Sequence, residues 1–243
     1  MASTSEVGHA KNIANLNTLN THILALGNTY NPSNPNLAIH NLQALYTTAL
    51  AQQQDVNNLV APYALAVDER EQLFKPLSKE ITKLRKAYKA TQGVTPAQVE
   101  DFMSIARKIK GENRTTTKSS QATTPQPEQT SHSNSQMSYD QRTNNFQQLI
   151  ALLQNTPNYN PNETEYQVPT YQAKHALMLQ KTQAVANTYV PLNNARSQRN
   201  NTLYQTENNL VDTANKAKDY IATILDTSST QYKAIARLKF KKN

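Results

Sequence analysis

Cysteine is absent from this 243-residue chain, which excludes disulfide frameworks, thiolate metal sites and cysteine nucleophiles. Glycine is nearly as scarce, with four in all. Dinucleotide fingerprints and Walker-type loops need closely spaced glycines to bring backbone N–H groups onto a phosphate, so nucleotide binding by those routes is excluded too. Three of the four, Gly27, Gly93 and Gly111, fall where an apolar helical pattern stops, the place of a helix C′ residue. Long apolar runs are also missing. No window approaches the roughly 18 apolar residues of a membrane span, and the start MASTSEVGHAKN lacks a basic segment followed by an apolar core. The expectation is a soluble, cytoplasmic protein.

What the chain does contain is enough apolar residue, 37%, for helices that each bury a single stripe. Its net charge of +8 is uneven. Residues 1–111 carry 11 Lys+Arg against 8 Asp+Glu, and residues 139–243 carry 12 against 7, so both parts are mildly basic.

The tripeptide Tyr30-Asn31-Pro32 recurs as Tyr159-Asn160-Pro161. The same shift of 129 positions superposes Ala44 on Ala173, Val56 on Val185, Pro62 on Pro191, Ala66 on Ala195 and Arg70 on Arg199. Such a sustained register predicts an internal duplication, with a first helical repeat over 1–111 and a second over 139–243 that pack as one unit. Between them, residues 112–138 hold Ser, Thr and Gln in place of large apolar side chains, a composition that predicts a disordered linker.

Each repeat follows one plan. A short amphipathic helix comes first, with Ile13, Leu16, Leu19, Ile23 and Leu26 in the first copy and Phe146, Leu149, Ile150 and Leu153 in the second. The Tyr-Asn-Pro segment then reads as a helix junction, in which tyrosine packs while Asn caps and Pro starts the next helix; Asn160 to Glu163 resembles a capping box. A stripe at alternating steps of three and four, coiled-coil-like in phase, follows from Leu42 to Tyr88 and passes through Pro62 and Pro76. It predicts one long helix, kinked rather than broken by its prolines, with a counterpart over about 169–225. Each copy closes on a short helix, one starting at the capping box Thr95-Pro96-Ala97-Gln98 and the other at Ser228 or Ser229. The expected fold is all-α: an internally duplicated, elongated helical bundle. Two long antiparallel helices would be flanked at both ends by short ones.

Reaction chemistry is hard to assemble from these residues. His9, His22, His40, His132 and His175 are scattered, and the single Glu-x-x-His match, Glu6 to His9, contains a glycine. Asp68, Glu69 and Glu71 surround Arg70 and read as a solvated ionic face. No catalytic, cofactor or metal residue is assigned. Arg70 and Arg199 occupy the apolar stripe of both copies. They predict a register-fixing polar residue paired with a carboxylate such as Asp212 or Glu80, or, alternatively, a central anion site. Lys75, Lys79, Lys83 and Lys86 share one helical face, and Arg237, Lys239, Lys241 and Lys242 gather in the tail RLKFKKN. Both clusters are candidate anion or nucleic-acid contacts.

Ala195-Arg196-Ser197-Gln198-Arg199-Asn200, Leu203-Tyr204, Leu210-Val211-Asp212, Gln231-Tyr232-Lys233 and Leu238-Lys239-Phe240 resemble segments of small helical proteins from Bacteroidota-type bacteria. The resemblance implies a bacterial cytoplasmic setting and brings no activity with it. The leading expectation is a non-enzymatic helical scaffold with a protein partner; the alternative is a sequence-independent nucleic-acid-binding protein.

Overall fold

The computed structural model describes residues 8–111 and 138–242. The stretch expected to be a linker therefore lies almost entirely outside the described residues, as does Glu6. Among those described, the secondary structure is helical, without a strand. The helices are α1 (His9–Leu26), α2 (Ile39–Phe74), α3 (Leu77–Ala90), α4 (Pro96–Lys110), α5 (Tyr139–Gln154), α6 (Val168–Asn200), α7 (Leu210–Ile224) and α8 (Thr230–Ala236).

The chain divides into two compact units, one formed by residues 1–63 and 188–243 and the other by residues 64–187. The division falls inside α2 and inside α6, so each unit combines segments from both halves of the sequence. In the first unit Ile13, Leu16, Leu19 and Ile23 of α1 join Leu42 and Ala49 of α2 and Leu210, Ala214, Ala217 and Ile221 of α7 in one apolar core. Val56, Leu192 and Ala195 form a smaller cluster between α2 and α6. In the second unit Leu77, Ile81, Leu84 and Tyr88 of α3 meet Phe102, Ala106 and Ile109 of α4 and Phe146, Leu149 and Leu153 of α5. Phe74, Ile150, Tyr171 and Met178 complete that core, and Leu73 packs against it half-buried.

The long helices are shorter than the stripe suggests. Pro62 and Pro191 lie within continuous helices of 36 and 33 residues, so neither proline ends its helix. Pro76 does mark an end. It cannot donate to the Gln72 carbonyl, α2 stops at Phe74, and α3 begins after Pro76. In the second copy a polar run does the same. After Asn200 the chain makes a π turn over Asn201–Gln205, then becomes extended at Thr206. Asn209 restarts it as α7, its side chain accepting from the Asp212 N–H at 2.9 Å.

The repeated tripeptide does not start a helix. Instead the Tyr30 hydroxyl donates to the Leu37 carbonyl at 2.8 Å, and the Tyr159 hydroxyl donates to the Tyr166 carbonyl at 2.7 Å. Each bond closes a seven-residue loop over a short 3₁₀ turn, Pro35–Leu37 or Thr164–Tyr166. Burial pushes the Tyr30 phenol up to about 12, with Tyr220 nearby adding to the shift; the Tyr159 phenol is raised further for the same main reason. Asn34 rather than Asn31 is the capping residue, accepting from the Asn36 N–H. The capping box expected of Asn160 and Glu163 is not formed, since Glu163 itself stands at the N-cap of a 3₁₀ turn without a side-chain cap. The box at Thr95 and Gln98 is complete in both directions, and Ser229 caps α8. Gly27 and Gly111 end α1 and α4, whereas Gly93 lies beyond α3, which ends at Ala90 with Thr91 as its C-cap.

Candidate functional site

The helix face that carries the first lysine cluster starts at the break made by Pro76. Lys75 lies in the turn, and Lys79, Lys83 and Lys86 follow on α3 at helical spacing; all four are exposed. The opposite face of α3 is anchored by Leu77, Ile81, Leu84 and Tyr88, each fully buried, which leaves the lysines no direction but outward. Glu80, the acid of α3 itself, is already engaged by Lys174 of α6. Lys181 pairs with Glu69 in the same unit at 2.7 Å.

The second cluster is built differently. After the Arg237 cap of α8, residues 238–242 form a tail docked on α1 and α7. The Asn12 side chain grips Lys241 twice, donating to its carbonyl at 2.8 Å and accepting from its N–H at 3.2 Å. Asn15 donates to the Lys239 carbonyl at 2.8 Å, and the Lys218 ammonium to the Leu238 carbonyl at 2.6 Å. Burial pushes the Lys218 ammonium down, with Asp219 opposing the shift. Phe240 is buried in the apolar core. Along the tail, therefore, Leu238 and Phe240 face inward while Arg237, Lys239 and Lys241 remain exposed. Lys242 is committed to Asp212 at 2.7 Å, and its hydrogen bond, with one from Asn209, holds that carboxyl below the usual range. The alternation of Leu238, Lys239, Phe240 and Lys241 has the period of an extended strand, a signal in the sequence that a count of positive charges overlooks.

Arg70 and Arg199 do not pair with the expected carboxylates, because Glu80 and Asp212 are held by Lys174 and Lys242. In the second unit the Arg70 guanidinium carbon lies 3.9 Å from the ring centroid of Tyr139, the first residue of α5, so an aromatic face replaces the acid. Its Nε is buried without a hydrogen-bond partner among the described residues. In the first unit Arg199 is 8% exposed and donates to Asn200 Oδ1 at 3.0 and 3.2 Å and to Gln53 Oε1 at 3.5 Å. Amide oxygens satisfy it in place of a carboxylate. Within its own unit each arginine thus has neutral partners.

His9 stands beside Arg199. Its Nδ1 is 2.8 Å from the Tyr204 hydroxyl, and burial, followed by the Arg199 charge, holds its pKa below 6.5. Burial lowers His175 in the same direction. The unfolded chain ionises these rings near 6.5, so above that pH the stabilisation from keeping them neutral is fully present. As pH falls from 6.5 toward the folded values, the unfolded state takes the protons first and stability drops. A melting temperature measured from pH 7 to 5 should fall, and should fall less in His9→Gln. Equal slopes for both proteins would contradict this.

Among the described residues no group of three or more His, Cys, Asp or Glu side chains could hold a metal ion. No helix among them is long and apolar enough to cross a membrane. No protein-family model matches the chain, and no curated sequence or solved structure matches it either.

Proposed function

We propose that this protein is a non-enzymatic helical scaffold that binds a protein partner along its long helices. The observation that carries this reading is the placement of its exposed apolar side chains. Seven large ones are exposed among the described residues, and six of them, Val60, Leu65, Leu177, Leu179, Tyr189 and Val190, belong to α2 or α6. Apolar surface concentrated on particular elements is what a protein-binding face presents, whereas random scatter would spread it over all of the helices. The test is quantitative capture with the full chain and with Leu179→Glu and Val190→Glu variants. A protein retained by the parent and lost from either variant supports the reading; equal retention by all three overturns it. The bacterial cytoplasmic setting implied by the sequence resemblance belongs to the same proposal.

The internal duplication, with antiparallel pairing of α2 and α6 inside each unit, is part of this reading. Two paired tyrosine bonds of identical span support it. So does the buried register of α3, Leu77, Ile81, Leu84 and Tyr88, which recurs on α7 as Leu210, Ala214, Ala217 and Ile221. In the first unit Gln53 meets Arg199 and Tyr63 meets Tyr189, so sequence number rises along one helix as it falls along the other. If the two loops are duplicates, Tyr30→Phe and Tyr159→Phe should cost similar amounts, about 1 kcal/mol each by chemical denaturation. A difference above about 1 kcal/mol would count against equivalence.

A second reading, sequence-independent nucleic-acid binding, is favoured by the exposure of Lys75, Lys79, Lys83 and Lys86 along one face. Anisotropy of labelled duplex and single strands over a salt series tests it. Replacing all four lysines by glutamine should reduce the slope of log K against log salt by about 3 to 4 if each neutralises one phosphate. An unchanged slope would remove the face from this role.

A further inference from the structure

The two loops closed by tyrosine differ in what lies beneath them. In the first unit Tyr220 of α7 packs edge-on against Tyr30 of the loop, their ring centroids 5.3 Å apart. Aligning the buried residues of α3 with those of α7 sets Ala87 at the position of Tyr220 and Ala90 at that of Thr223. The aromatic of α3 is one position later: Tyr88 is fully buried, tilted against Tyr159 at 6.0 Å and within hydrogen-bonding distance of Thr156 Oγ1 at 3.0 Å. In α3 two alanines therefore stand at those positions. A cleft of about 530 Å³ opens there, between α3 and the loop that carries Asn158 to Glu163.

Its chemistry is specific. Lys83 and Lys86 line the helix side and have no carboxylate partner among the described residues, while Asn160, Asn162 and Glu163 line the loop side, with Tyr166 also in the lining. Asn158 turns the loop at φ 63°, a left-handed conformation that asparagine tolerates better than most residues, and its amide reaches the Gln92 carbonyl at 3.5 Å. The loop is tied down at its far end by the Tyr159 hydroxyl. The cleft thus lies between a packed helix and an anchored turn, with a volume in the range of small-molecule sites.

We infer that this cleft binds a small phosphorylated sugar. Two ammonium groups on one helical face supply the charge that a phosphate needs. Side-chain amides, each both donor and acceptor, match vicinal hydroxyls, and Glu163 accepts from them. Pro161 and the Tyr166 ring offer an apolar surface to the C–H face of a sugar ring. With Glu163 the single carboxylate in the lining against two ammonium groups, a neutral sugar would leave a positive charge unanswered, and a bare phosphate would leave the amides unused.

The experiment is a titration of the full chain with ribose 5-phosphate, followed by amide chemical shifts, with ribose and inorganic phosphate as separate probes. Shifts should concentrate at residues 83–91 and 158–166, and ribose 5-phosphate should bind at least ten-fold more tightly than either fragment. Ala87→Tyr, which puts a tyrosine at the position of Tyr220 and adds bulk to the cleft wall, should abolish binding. Lys83→Gln with Lys86→Gln changes only exposed side chains and should weaken it at least ten-fold. Shifts spread equally over the tail lysines, binding unaffected by these variants, or inorganic phosphate binding as tightly as the sugar phosphate would each overturn the assignment. The last result would mean an adventitious ion only.

Discussion

Replacing Arg142 by alanine should lower stability by about 2–4 kcal/mol, because a single guanidinium serves the ends of two helices. Its Nε donates to the Ile109 carbonyl at 3.0 Å and its Nη2 to the Phe74 carbonyl at 3.3 Å, the last turn of α4 and of α2. Carbonyls at helix C-termini lack an intrahelical donor, so removing the fork leaves two acceptors without partners in a half-buried place. Burial lowers the Arg142 pKa, with Tyr139 opposing the shift, yet the group remains a cation at neutral pH. The side chain also lies over the Phe74 ring, 5.2 Å from its centroid. Lysine keeps the charge but cannot hold both carbonyls in one plane, and Arg142→Lys should recover less than half of the loss. Urea denaturation followed by circular dichroism measures both variants. A loss under 0.5 kcal/mol for alanine would show that water replaces the fork without cost.

Phe240→Ala should be nearly as damaging, at about 2–4 kcal/mol, and its signature should be local. Phe240 is the apolar anchor of a tail otherwise held by Asn12, Asn15 and Lys218 through hydrogen bonds to its backbone. Without the anchor those bonds must carry the ordering entropy of the tail by themselves, and amide exchange at Lys241, protected by Asn12, should accelerate markedly. Lys239→Gln with Lys241→Gln should stay within about 0.5 kcal/mol, since both side chains are exposed. If the charge variants proved more costly than Phe240→Ala, the tail would be held by electrostatics and the geometry described above would be wrong.

Apolar spacing of three and four identified Ile13, Leu16, Leu19 and Ile23, and likewise Phe146, Leu149, Ile150 and Leu153, because a helix that buries one face must repeat at its own pitch. The Thr95 capping box was legible for a related reason: a cap is satisfied within four residues of itself. The lysine face of α3 followed from the same helical geometry, once its buried side was known. Arg142 was not legible. Its partners are 33 and 68 residues away, and no local pattern distinguishes an arginine that closes two helix ends from one that faces solvent.

The sequence by itself determined that the described chain would be helical and where most of its buried stripes would lie, since those follow from periodicity and from capping between near neighbours. It also carried the matched tyrosines, whose bonds span only seven residues. Only the tertiary structure decided that the stripe ends at Pro76, that the basic tail is folded onto α1, and that Arg70 and Arg199 find a ring and amides in place of acids. It alone placed Ala87, at the position of Tyr220 in the other unit, on the wall of the cleft. Each of these depends on which distant side chain arrives first at a given space, and contacts of that kind leave no period in the sequence.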